Sequence, residues 1–158
     1  MDLNFIDNFE KLSSKLVKLE PVSHVFSFID APILFLNNIS LTNLSSDNIE
    51  NIKNTDLNIN DVIEEFTNNP VYKDQLLNED ADVFSIVVYL NKNLELISAQ
   101  EDFKNSIITK KNYLKIKKLQ DEKRNDLIKN IRNIINEADK KHSYYLGGVE
   151  MIANDVIN

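Results

Sequence analysis

The chain has 158 residues, 42% of them hydrophobic and 27% charged, with 25 acidic against 18 basic side chains and a net charge of −7. It contains no Cys, no Trp, three Pro and only two Gly, and the glycines are adjacent at Gly147-Gly148. These figures exclude collagen-like, disulfide-stapled and strongly disordered classes and argue against a nucleic-acid groove, which needs clustered Lys and Arg.

The length suits one domain over residues 1–158. The 23 Asn, 19 Ile and 16 Lys against two Arg read as the bias of an AT-rich genome. The Asn are dispersed among periodic apolar residues, so they do not form a low-complexity tract. The longest apolar runs, Ala31 to Leu36 and Ile86 to Leu90, fall far short of the roughly 20 residues of a spanning helix. The start, Met1-Asp2-Leu3-Asn4, lacks the basic opening and apolar stretch of a signal peptide.

In chain order, residues 4–19 read as an amphipathic helix, because Phe5, Phe9, Leu12, Leu16 and Leu19 fall on one stripe. Val22 to Ile29 is a strand rich in β-branched and aromatic residues, with His24 as a surface or packing residue, and Asp30-Ala31-Pro32 ends it. Residues 33–55 lose their period, with Ile33, Leu34, Leu36, Leu41 and Leu44 expected to dock on the body. A short helix follows over 61–66, with Asn58 or Asn60 as cap and Pro70 beyond its end. A second helical turn over 71–77 leads to the acidic turn Asn78 to Asp82. Residues 33–80 together form an irregular and helical insertion.

Val83 to Leu90 is the strongest strand, apolar enough to lie centrally in a sheet. Residues 91–112 give no clear pattern. A long helix is expected over 113–139, with Leu119, Leu127, Ile128, Ile131, Ile135 and Ala138 as its buried stripe. The lysines at its start (Lys110, Lys111, Lys115, Lys117, Lys118) suit an anionic lipid surface. A solvated face is the plainer reading, since acidic residues follow at once. The last unit is a strand over His142 to Leu146, the Gly147-Gly148 turn and a helix start at Val149.

This order of helices and strands predicts an α+β fold, a ferredoxin-like split βαβ sandwich with a helical insertion. Its first unit lacks an opening strand before residue 4, so the chain reads as a piece of something longer. No catalytic, cofactor or metal constellation emerges. There is no Cys nucleophile and no Gly-x-Ser-x-Gly elbow, and His24 and His142 stand apart. Glu64 with Glu65, and Asp121 with Glu122, read as surface-helix pairs. Gly147-Gly148 lacks the further residues of a phosphate loop. The expectation is a protein that is not an enzyme.

The tail from Tyr144 through Gly147-Gly148 to Asn154-Asp155 and Ile157 resembles the segment ending the first large extracytoplasmic loop of RND-superfamily exporters of the MMPL type. Pro21 to Phe28 after a helix, and Asn69 to Asp80 followed by Val83 to Leu90, are similar to further passages of that loop in the same order. The resemblance implies a porter domain between the first two transmembrane helices of a proton-driven exporter, on the periplasmic side of the bacterial inner membrane. Gly147 and Gly148 would form the turn, and Asn154 and Asp155 the polar pair on the helix entering the membrane. Partners would be the transporter's own transmembrane helices, its second porter domain, and a hydrophobic, amphiphilic or lipid-like substrate. The exposed sheet edge left by the missing strand would invite a homo-oligomer. The alternative is a stand-alone soluble α+β binding or dimerisation module.

Overall fold

The computed structural model describes residues 3–36, 50–148 and 151. Among these the chain is α+β: α1 (Leu3–Leu16), β1 (Val22–Ser27), α2 (Ile59–Asn68), β2 (Ile86–Leu90), α3 (Leu94–Lys104) and α4 (Lys110–Asn136). The two strands pair antiparallel as a two-stranded sheet. The chain divides into two compact units, Met1–Ser13 with His24–Tyr89, and Ser14–Ser23 with Leu90–Asn158.

The first unit is built on aromatic contacts. Phe5 and Phe9 stand one helical turn apart on α1, and both rings meet Phe28, at 6.2 and 4.9 Å between centroids. Phe84 closes the cluster, 5.0 Å from Phe5 and 4.8 Å from Phe28. Ile29, Ala31, Ile33 and Leu34 are buried beside it with Val62 and Phe66 from α2. Each such side chain contributes on the order of 1.5–3 kcal/mol through loss of apolar surface from water. β1 ends at Ser27, earlier than its sequence suggests, because Ser27 C=O accepts from Asp30 N–H at 3.1 Å and closes a turn. Phe28 and Ile29 still reach the core, from that turn rather than from a strand.

α2 begins where its cap dictates: Asn58 Oδ1 accepts from Asn60 N–H at 2.8 Å, satisfying a free donor of the first turn. The helical turn expected over 71–77 is instead a series of tight turns. Asp74 has φ of 62°, a left-handed conformation that a helix does not accommodate. The acidic turn forms as expected, organised by Asn78, whose Oδ1 accepts from both Asp82 N–H and Val83 N–H. β2 is shorter than its apolar run and is not central among the described strands. Val83 remains 58% exposed, and Phe84 only bridges to Leu77.

The second unit holds the α3–α4 hairpin. The region without a clear pattern contains α3, capped by Asn93, whose side chain accepts from Leu96 N–H at 3.0 Å. Gln120 of α4 is buried and clips that end in place. Its Nε2 donates to Glu95 at 2.6 Å and its Oε1 accepts from Asn93 Nδ2 at 3.0 Å. Phe103 and Tyr113 stack at 5.0 Å. Leu127, Ile128 and Ile131 are buried as expected, but Leu119 is 47% exposed. One residue along a helix is a rotation of about 100°, so burying Gln120 turns Leu119 outward. The strand expected over 142–146 is absent among the described residues: 143–147 carry no regular secondary structure. Leu41 and Leu44, and all of the final helix except Met151, lie outside the described residues.

Phe66, fully buried, and Leu94, 70% exposed, test this division of the surface. Phe66→Ala is expected to lower unfolding free energy by about 3–5 kcal/mol in urea titration. Leu94→Ala is expected to change it by less than about 0.5 kcal/mol.

Candidate functional site

The chemistry of the first unit gathers around one carboxylate. Glu65 lies on the same helical stripe as Val62, Phe66 and Asn69, and its side chain is drawn inward with theirs. There it accepts three backbone N–H groups from the segment after β1. Leu34 and Phe35 donate to Oε1 at 2.6 and 3.0 Å, and Leu36 donates to Oε2 at 2.9 Å. Three successive amides aimed at one anion form a cradle of charge-assisted hydrogen bonds, roughly twice as strong as neutral ones. Glu65 is therefore not the surface-helix residue that its pairing with Glu64 suggested. Glu64 is exposed, and Asp121 with Glu122 does lie on a helix surface, ion-paired to Lys117 and Lys118 one turn earlier.

Against this cradle lies an apolar groove of about 290 Å³, walled by Phe26, Leu34, Val71, Tyr72, Leu76 and Val87 among others. Tyr72 and Gln75 are among its polar elements. The Tyr72 ring meets Phe66 edge-on at 4.9 Å, and the hydroxyl donates to Pro32 C=O at 2.8 Å. Burial, and then the negative charge of Glu65, push the Tyr72 phenol up to about 12. It stays protonated through the neutral range and is committed as a donor, so it positions rather than transfers protons. The groove suits an apolar group of a few carbon atoms.

At the rim of the same unit, Lys53 joins Glu10 of α1 at 3.0 Å and Asp30 at 3.1 Å. Burial opposes its charge, but hydrogen bonds to the two carboxylates outweigh that and raise its pKa above the ordinary lysine value. His24 is an exposed strand residue whose ring stacks on Tyr89 at 4.2 Å.

The motif glycines belong to the second unit. Gly148 has φ of +117°, which only glycine adopts without strain. A Cβ on either glycine would meet nothing within 4 Å, so close packing is not what requires them. Asn154 and Asp155 lie outside the described residues. Among the described residues no group of three or more His, Asp or Glu could hold a metal ion, and no helix is long and apolar enough to cross a membrane. No family model, curated protein or solved structure matches this chain.

Glu65 was missed because carboxylates default to the surface. The available signal was its place between Val62 and Phe66 on the inward stripe of α2.

Glu65→Ala strands three amide donors and is expected to cost about 3 kcal/mol in chemical denaturation. Glu65→Gln, which keeps an acceptor for two of them, should cost less. The Tyr72 phenol also makes a signed prediction. Its folded pKa is raised, so its stabilising share is complete below the free phenol value of 10.0 and is lost as pH climbs toward about 12. Tyrosinate absorbance titrations of the native chain and of Tyr72→Phe should differ by one late-titrating phenol.

Proposed function

We propose that this chain is the porter-type extracytoplasmic domain of an RND-superfamily exporter of the MMPL type, handling hydrophobic or lipid-like substrates. The observation that carries the reading is the pairing of β1 with β2. A split βαβ sandwich joins its two halves by such an antiparallel pair, with a helix before the first strand and a helical crossover after the second. Here α1 precedes β1, and α3 and α4 follow β2, in that order. The finer, ferredoxin-like description belongs to the same proposal. In that arrangement a further strand pairs beside β2, and residues 143–147 pair only once that strand is present.

The apolar groove beside Tyr72 supports the substrate class, since its walls offer hydrocarbon surface and its phenol is already engaged. In this reading the domain does no covalent chemistry. It supplies wall and body to a cleft whose opening is biased by protonation elsewhere in the transporter. Transport would require the rest of that protein, and Gly147-Gly148 would serve as the turn leading back toward the membrane.

The test is the reading frame around the coding sequence in its source DNA. Stretches of about 20 predominantly apolar residues before Met1 and after Asn158 are expected. A promoter directly before Met1 and a stop codon directly after Asn158 would sink the proposal in favour of a stand-alone binding module.

A further inference from the structure

The α3–α4 hairpin carries a charge pattern opposite to that of the whole chain. Residues 104–118 hold six of the sixteen lysines and no Asp or Glu, in a protein of net charge −7. The helical period places Lys110, Lys111, Leu114, Lys115 and Lys118 on one face of α4, opposite the side that buries Gln120. Lys118 reaches Glu122 at only 3.8 Å, whereas Lys104, Lys110, Lys111 and Lys115 are exposed and make no ion pair among the described residues. Apolar side chains stand within this basic field: Ile107, at the tip between the helices, is 68% exposed and Leu114 is 48% exposed.

We infer that the tip of the α3–α4 hairpin docks on an anionic phospholipid surface, with Ile107 and Leu114 entering the headgroup layer and the lysines meeting the lipid phosphates. Exposed lysines without carboxylate partners are available to anions. Exposed aliphatic side chains among them favour a surface with a hydrocarbon interior over a purely polar polyanion. Long lysine stems can cover apolar surface while their ammonium groups reach outward to phosphates. The excess negative charge elsewhere does not cancel this attraction, because at physiological salt exposed charges are screened beyond about 8 Å. The inference stands apart from the transport reading, since it uses only residues of the hairpin.

Flotation of the full chain with vesicles tests it. Association is expected with mixed phosphatidylcholine and phosphatidylglycerol vesicles and not with phosphatidylcholine alone. Removing a lysine charge should weaken binding about fivefold, and Lys110→Glu with Lys111→Glu should abolish it. Ile107→Ser should weaken binding at unchanged net charge. The same charge change at the exposed Lys140 and Lys141, away from the tip, should leave binding close to the parent level. All of these positions are on the surface, and an unaltered thermal melt would establish that the variants remain folded. No association with the anionic vesicles, equal association with neutral ones, or equal losses from the two charge-reversed pairs would each overturn the inference.

Discussion

The carboxylate of Glu65 organises the first unit. A helix only 10 residues long holds its position by what its inward face engages, and α2 engages a backbone as well as a core. The amides of Leu34, Phe35 and Leu36 follow a buried aliphatic segment and have no strand partner of their own. Both the buried carboxylate and the unpaired amides would be costly alone, and their pairing satisfies both together. The chain leaving β1 is thereby pinned to α2, and this pinning sets one wall of the apolar groove. It also fixes the electrostatic surroundings of Tyr72, whose phenol resists ionisation first because it is buried and then because a carboxylate stands nearby.

The second unit uses a weaker version of the same device. Gln120, uncharged, takes the polar position on the buried side of α4 and ties α3 through Asn93 and Glu95. Both partners are exposed, so water can replace much of what Gln120 supplies. The hairpin depends more on Phe103 stacking on Tyr113, and the unit on the burial of Leu127, Ile128 and Ile131, than on that clip.

The sequence was most legible where period and burial coincide. α1 presents Phe9, Leu12 and Leu16 inward as its spacing requires, and α4 does the same with Leu127, Ile128 and Ile131. Reading failed where a polar residue holds an inward position. Glu65 was assigned to a helix surface, and Leu119 was placed inward where Gln120 is the buried residue. Strand ends were illegible for another reason. Apolar runs such as Val83 to Leu90 specify burial but not partners, and ladder length depends on residues far away in the chain. The positive φ of Gly148 fits the residue type found there, whereas positive φ at Asp74, Ala81 and Ser106 had no glycine to announce it. The groove was not legible, because its walls come from β1, β2 and the turns after α2, with no local pattern linking them.

Among the described residues, three other positions adopt left-handed backbone without glycine: Asp74, Ala81 and Ser106, with φ of 62°, 52° and 58°. A glycine at each would make the turn by its own preference; these side chains oppose it. At Ala81 the conformation is held from two sides, by its N–H donating to Asn78 C=O three residues back and by its methyl packing on the first unit's core. A chain with both glycines at one corner therefore makes such a turn by hydrogen bonding and packing rather than by glycine's backbone freedom. In folding terms, the bend before β2 joins a local hydrogen-bond set centred on Asn78 to the core, so local and long-range order meet there.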